Sequence, residues 1–109
     1  MSRRIYEMQA ELCRALSHPI RLEILDILAS GEKSVDELTK ETSASQANVS
    51  QHLAVLRKQR LVNARREGMN VYYSIAHPKI VSACTLVKQL LTELLSREHE
   101  LLRPYVKRK

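Results

Sequence analysis

The sequence has few cysteines and no long apolar run. Its two cysteines, Cys13 and Cys84, are too few for a secreted disulfide framework and too widely spaced for a zinc knuckle. No apolar stretch approaches the roughly 20 residues that a membrane-spanning helix needs, and the start MSRRIYEMQAEL lacks the apolar segment of a signal peptide. We therefore expect a cytoplasmic protein that has no membrane as a partner.

Glycine is also scarce, with two residues in a chain of 109, and the sequence contains no glycine-rich phosphate-binding loop. No nucleophile and base are paired in a pattern that a fold would gather into a pocket. The sequence therefore predicts that the chain is not an enzyme. The length allows one compact domain and is too short for two, so we expect residues 1–109 to form a single domain.

Acidic residues are outnumbered by basic ones. The chain has 18 lysines and arginines against 12 aspartates and glutamates, which gives a formal charge of +6 and a sequence pI near 9.6. Such an excess favours a polyanionic partner such as nucleic acid. The same excess also suits a protein whose surface charge only keeps it in solution, so composition leaves both interpretations open.

The first third of the chain has the spacing of two helices. Apolar residues recur at three- and four-residue steps over residues 3–16, which predicts a helix with one apolar stripe. Pro19 suits the first turn of a second helix, which stops at Gly31. This second helix is so apolar that we expect it to be buried.

Two N-capping patterns follow in the middle of the chain. Ser34 and Glu37 have the spacing of a capping box, which predicts a short helix ending near Thr42. Ser45 is a second N-cap and opens a longer helix. Two helices joined by so short a turn form a helix-turn-helix, which we place at residues 34–60.

Residues 61–76, LVNARREGMNVYYSIA, have the pattern of a β-hairpin. Two runs of strand-forming residues flank Gly68, which can adopt the positive φ that a hairpin tip needs. Arg65 and Arg66 precede the tip. The segment therefore predicts a wing beside the helix-turn-helix.

The last helix is predicted over residues 78–102 and carries an apolar seam. Residues at steps of four and three have the spacing of a coiled coil, and three leucines widen the seam. These residues are Ile80, Cys84, Val87, Leu91 and Leu94, with Leu86, Leu90 and Leu95. Such a helix has more apolar surface than a small core can cover, so we expect a symmetric homodimer. Residues 103–109 form a basic tail.

The second helix of the helix-turn-helix divides into an inner and an outer face. Val49, Leu53 and Leu56 take the inner face. In a helix-turn-helix, the outer side chains near the start of this helix meet base edges in the DNA major groove. Those side chains are predicted to be Gln46, Ala47, Ser50 and Gln51, with Asn48 at the margin, and the free amides around Ser45 would seat a phosphate.

Cations beyond this face are candidates for contacts to the DNA backbone. They are Arg57, Lys58 and Arg60 at the end of the helix, and Arg65 and Arg66 in the wing. No acidic residue occurs among them in the sequence before Glu67. Each feature also has an ordinary structural interpretation: the polar side chains can be a solvated face, and the cations can offset the helix dipole. The combination of features favours DNA binding.

Three runs of the sequence resemble the ArsR family of winged-helix repressors, over nearly the whole chain. They are ALSHPIRLEILDIL, ELTKETSASQANVSQHLAVLRKQRLV and REGMNVYYSI. The resemblance implies a mostly α-helical winged helix-turn-helix with a small β-hairpin wing, dimerising through its first and last helices. It also implies binding to an inverted-repeat operator, contacts from positions 46, 47, 50 and 51, and release by an inducer.

The known metal sites of that family are not matched. Soft-metal sensors carry Cys-Val-Cys where this chain has Ser34, Val35 and Asp36, whose oxygens are poor ligands for soft metals. Zinc sensors use positions that correspond to His77, Lys79, Leu90 and Glu93, where leucine cannot ligate and lysine is a cation at neutral pH. No metal site is therefore expected, and we interpret the four histidines, His18, His52, His77 and His99, as structural.

Cys13 and Cys84 have two interpretations. Both can be small buried hydrophobic residues, because free cysteine is among the most buried residue types. In the family the first and last helices meet at the dimer interface, so the two residues can instead form a thiol switch, through a disulfide, a persulfide or bound arsenite. The inducer would then be arsenite, an oxidant or a polysulfide. A direct bridge requires Cα atoms within about 7 Å.

Two other functions stay open. A constitutive or architectural DNA-binding protein without an inducer site fits the basic tail RPYVKRK and the unmatched metal ligands. A footprint separates it from a repressor, which protects a short palindrome. A winged-helix module that binds proteins through its long helix is the other alternative, and failure to bind duplex DNA at low salt would favour it.

Overall fold

The structure is a computed structural model that describes residues 2–102, with side chains through residue 99. The basic tail at residues 103–109 lies outside the described residues. Within the described part, five helices and three strands follow one another along the chain. They are α1 (Arg3–Ala15), α2 (Pro19–Leu28), β1 (Lys33–Ser34), α3 (Val35–Thr42), α4 (Gln46–Lys58), β2 (Val62–Glu67), β3 (Asn70–Ile75) and α5 (Pro78–Leu102).

The hydrophobic core lies where α2, α3 and α4 meet the base of the hairpin and the start of α5. Its members are Ile24, Leu25, Leu28, Leu38, Val49, Leu53, Leu56, Leu61, Val62 and Ile80. Five of them have no exposed surface: Ile24, Leu38, Val49, Leu53 and Leu56. Each buried side chain of this kind stabilises the fold by about 1.5–3 kcal/mol. This core fixes how α4 is rotated relative to the rest of the chain.

Local hydrogen bonds define both ends of the turn between α3 and α4. The Glu37 N–H donates to Ser34 Oγ at 3.1 Å, and the Ser34 N–H donates to Glu37 Oε1 at 3.1 Å, which completes the predicted capping box. These hydrogen bonds lower the pKa of the Glu37 carboxyl. Helix α3 ends at Ser43, whose φ of +63° is left-handed. Ser45 Oγ then accepts from the Asn48 N–H at 3.2 Å and caps α4, as the sequence predicts.

The sheet has three antiparallel strands in the order β1-β3-β2. The hairpin β2–β3 turns at Gly68, where φ is +61°, in agreement with the prediction. The third strand, β1, was not predicted. Its two residues pair with the middle of β3, Lys33 with Tyr73 and Ser34 with Tyr72, and two residues are too few to show a strand period in sequence. Because Ser34 also caps α3, this short strand connects the wing to the helix-turn-helix.

Helix α2 is only partly buried, which corrects the expectation of a buried helix. Ile24, Leu25 and Leu28 are in the core, but Leu22 keeps 39% of its surface exposed. A ten-residue helix packed on one side of a small domain leaves its opposite side in water.

Candidate nucleic-acid interface

Helix α4 separates apolar and polar side chains onto opposite faces. Its apolar residues Val49, Leu53 and Leu56 are fully buried. The residues predicted to meet base edges are all exposed: Gln46, Ala47, Asn48, Ser50 and Gln51, together with the capping Ser45. Burial of the apolar face therefore determines which side chains α4 presents to a partner, and those side chains carry amide and hydroxyl groups.

The start of α4 shares an open cleft with the tip of the wing. It is lined by Gln46 and Ser50 of α4, by Met69, Asn70 and Val71 of the wing, and by the residues at the start of α3. Met69 is 97% exposed. These wing-tip residues were not predicted from the sequence as part of the site, although their position beside Gly68 at the predicted turn indicates it. A partner that touches the outer face of α4 also meets the wing tip.

The predicted backbone-binding cations are all exposed. Arg57 and Lys58 lie in the last turn of α4, and Arg66 lies in β2 near the hairpin tip. Among the ion pairs formed within residues 2–99, none involves these three side chains. Their charge is therefore available to a polyanion.

Arg65 differs from its neighbour Arg66. Its Nε and Nη2 donate to the two carboxylate oxygens of Glu32 at 3.1 and 2.7 Å, and its Nη1 donates to Glu67 Oε2 at 2.7 Å. The guanidinium carbon lies 4.9 Å from the centroid of the Tyr72 ring. These hydrogen bonds raise the pKa of Arg65 and lower that of Glu32. No acid occurs among these cations in the sequence before Glu67, but the fold brings Glu32, 33 residues before Arg65, to the Arg65 guanidinium.

Two of the histidines lie together on the flank of α4. The ring centroids of His18 and His52 are 4.3 Å apart and the rings are tilted by 44°. His18 caps α2, where its Nδ1 accepts from the Ile20 N–H at 3.1 Å. Burial lowers the pKa of His52, and the neighbouring His18 and Arg21 lower it further. The structure therefore gives both histidines a packing role next to the outer face of α4.

The two cysteines have different surroundings. Both are free thiols, with Cys13 exposed on α1 and Cys84 half-buried on α5. Cys84 packs against the core and borders Leu25 and Val81. Burial raises the pKa of the Cys84 thiol, which lowers its thiolate fraction at neutral pH.

No group of three or more histidine, cysteine, aspartate or glutamate side chains that could hold a metal ion occurs in the part of the chain that the structure describes. Within residues 2–102, no helix combines the length and apolar character needed to cross a membrane.

Helices α1 and α5 carry apolar side chains that the rest of the chain does not cover. The start of α5 packs on the core through Ile80 and Cys84, and Lys88 Nζ donates to Asp26 Oδ1 of α2 at 2.6 Å. From Leu86 to Leu95, the apolar side chains of α5 are 49–65% exposed: Leu86, Val87, Leu90, Leu91, Leu94 and Leu95. On α1, Ile5, Tyr6 and Met8 are 41–57% exposed. An apolar surface of this kind marks an interaction site.

A capped pair of helices, a β-hairpin beside the second of them and a long terminal helix define a winged helix-turn-helix protein. The family described as "Bacterial regulatory protein, arsR family" matches residues 18–64, which contain α2, α3 and α4. The transcriptional regulator Rv0081 of Mycobacterium tuberculosis is 38% identical over 93 residues, which cover 84% of this chain and 82% of the relative. The chain belongs to the ArsR family.

One further relative and two solved structures are also similar to this chain. The biofilm growth-associated repressor of Xylella fastidiosa is 36% identical over 100 residues, covering 92% of this chain and 84% of that protein. The crystal structure of Rv0081 superposes with a TM-score of 0.80 at 37% identity, covering 89% of this chain and 98% of that one. The homodimeric DNA-binding domain of Mb0332 from Mycobacterium bovis gives a TM-score of 0.75 at 34% identity, with coverages of 85% and 89%.

These comparisons confirm the predicted fold class, a mostly α-helical winged helix-turn-helix. The family consists of transcriptional regulators, which agrees with the prediction that the chain is not an enzyme.

Proposed function

We propose that two copies of this chain form a homodimer that binds an inverted-repeat DNA site and represses transcription by occupying a promoter. The observation that carries the proposal is the division of α4 into a fully buried apolar face and an exposed polar face. A helix whose polar face is only solvated does not need exposed amide side chains at its start. A helix that reads DNA needs them there, because its N-terminal part enters the major groove.

The exposed side chains of α4 have the chemistry for reading bases. Gln46, Gln51 and Asn48 can each make paired hydrogen bonds to an adenine edge, and Ser50 can donate to or accept from any base. Ala47 can contact the methyl group of a thymine. The helix start at Ser45 supplies free N–H groups, which favour a phosphate at that position.

Phosphate contacts come from cations on both sides of this face. Arg57 and Lys58 at the end of α4 and Arg66 in the wing have no carboxylate partner within the described residues. Each phosphate that they neutralise releases counterions, so binding should weaken steeply as salt concentration rises. The excess of basic residues in the whole sequence supports the same interaction.

A homodimer accounts for the exposed apolar residues of α1 and α5. Covering them with a second copy removes them from water, and a two-fold axis then presents two α4 helices to two successive major grooves. The half-sites would lie about 34–36 Å apart, one turn of the double helix. The Mb0332 domain, described as homodimeric, supports this assembly.

Selection of duplexes from a random library, followed by footprinting on the enriched sequence, tests the proposal. We expect a short protected site with two-fold symmetry. Protection spread along the DNA without a preferred sequence would support the architectural alternative. Absence of binding to any duplex at low salt would contradict the proposal and favour a protein-binding module.

Release by a thiol-directed inducer is the finer part of the proposal. It is supported by two free thiols on the two helices that carry the exposed apolar residues. The raised pKa of Cys84 argues for a small buried residue instead. Treating the DNA complex with oxidant, polysulfide or arsenite tests this part, with Cys13→Ser and Cys84→Ser as controls. If the serine variants released DNA to the same extent as the parent chain, neither cysteine would take part in release.

A further inference from the structure

We propose that Arg65 is a positioning residue, held by Glu32, that sets the orientation of the wing relative to the helix-turn-helix and does not bind a DNA phosphate. This inference rests on the proposed function wherever it is tested by measuring DNA binding. It revises the sequence-based prediction of Arg65 as a backbone contact. Arg66 keeps that role, since it has no ion pair within the described residues.

The contacts of Arg65 extend across the whole sheet. Arg65 in β2 is paired with Tyr72 in β3, and Tyr72 is also paired with Ser34 in β1. The guanidinium lies over the Tyr72 ring and reaches Glu32, the residue before β1. One side chain therefore connects the outer strand of the wing to the segment that leads into α3.

This connection supplements a very short strand. Strand β1 contains two residues, so its backbone pairing to the hairpin is limited. Ser34 in that strand caps α3, so any tilt of the hairpin relative to β1 also changes the position of the wing relative to α4. A two-point hydrogen bond between a guanidinium and a carboxylate has a defined geometry, which a single lysine contact would lack.

The same contacts disfavour a phosphate as a partner of Arg65. Three of the five N–H groups of the guanidinium already donate to carboxylate oxygens. One guanidinium with two carboxylates has a net negative charge, which does not attract DNA. Isolated surface ion pairs contribute little to stability, but a bidentate pair within a network of several charges is the exception.

Glu32→Gln separates the two roles because they predict effects of opposite sign. If Arg65 positions the wing, losing the carboxylate should weaken binding to the selected duplex by roughly three- to tenfold. The dependence of the dissociation constant on salt should stay unchanged. If Arg65 binds phosphate, the variant should bind more tightly, because a carboxylate is gone and the guanidinium is released. Tighter or unchanged binding would overturn the proposal.

Substitutions of the two arginines give a second comparison. Arg65→Ala should weaken binding without changing the slope of the salt dependence, and Arg66→Ala should reduce that slope by about 0.9 for each of the two phosphate contacts that the dimer loses. Arg65→Lys should behave like Arg65→Ala, because lysine keeps the charge and loses the two-point geometry. A Lys variant with normal affinity would contradict the positioning role. Glu41→Gln is the matched control for lost negative charge, since Glu41 is exposed on α3 and forms no ion pair in the described residues.

A measurement without DNA keeps this inference separate from the proposed function. Nitrogen-15 relaxation at Gly68 and Met69 reports motion at the wing tip in the free protein. Glu32→Gln should increase that motion while thermal unfolding shows the domain still folded, and Arg66→Ala should not increase it. If the parent chain bound no duplex, the proposed function would fail and this readout would still apply. Unchanged wing motion in Glu32→Gln would overturn the positioning role.

Discussion

The imidazole rings of His18 and His52 lie 4.3 Å apart, joining the cap of α2 to the flank of α4. Burial lowers the pKa of His52, and the neighbouring His18 and Arg21 lower it further. This packing therefore favours the neutral form of His52 in the folded protein.

The first prediction concerns pH and stability. Because the pKa of His52 is lower in the folded protein than its ordinary value of about 6.5, the unfolded chain takes up the proton more readily. The free energy of unfolding should be highest above pH 6.5 and decrease as pH falls below that value. Urea unfolding at pH 7.5 and 5.5 measures the difference. His52→Gln should reduce the difference, and His77→Gln, at an exposed position, should leave it as in the parent chain.

The second prediction concerns base recognition by α4. Gln51→Ala should change which duplexes are preferred, at a cost of about 1–3 kcal/mol for the base that loses its contact. Lys58→Ala is the comparison, because loss of a phosphate contact weakens all sequences alike. Competition binding against single-base variants of the selected duplex measures both. Equal weakening of every duplex by Gln51→Ala would show that Gln51 does not read a base.

The local features of the fold could be predicted from the sequence because their partners are neighbours in the chain. The capping box joins Ser34 and Glu37, three residues apart, and the inner face of α4 follows from helical period alone. The exposed polar face of α4, which lies opposite this inner face, was predicted in the same way.

Long-range relationships could not be predicted from a single sequence. Glu32 and Arg65 meet only because β1 pairs with β3, and nothing in either local sequence selects the other residue. The contact of His18 with His52 likewise depends on how α2 packs on α4. Features of this kind changed the interpretation of Arg65, and they show how the two histidines, interpreted as structural, pack together.

The third prediction concerns the dimer. Leu91 lies in the exposed apolar face of α5, so Leu91→Glu should place a charge in a dry interface and yield monomers. Gln89→Glu adds the same charge on the opposite side of the helix and should leave the dimer intact. Sedimentation equilibrium of both variants and the parent chain measures the assembly. A dimeric Leu91→Glu variant would place the interface elsewhere.

The fourth prediction concerns thiol reactivity. Burial raises the pKa of Cys84, so Cys84 should be alkylated more slowly than the exposed Cys13 at pH 7.5. Intact-mass measurements on Cys13→Ser and Cys84→Ser, each with one thiol left, give the two rates separately. Faster alkylation of Cys84 would show that its thiol is more accessible than its packing indicates.

Methylation protection on the selected duplex tests most directly whether α4 reads DNA as proposed. Dimethyl sulfate methylates guanine N7, which lies in the major groove where α4 is expected to bind. The parent chain should protect guanines in two patches one helical turn apart on one face of the DNA, and Gln46→Ala combined with Gln51→Ala should weaken that protection. Protected adenine N3 positions in the minor groove, with guanine N7 still fully reactive, would contradict the account.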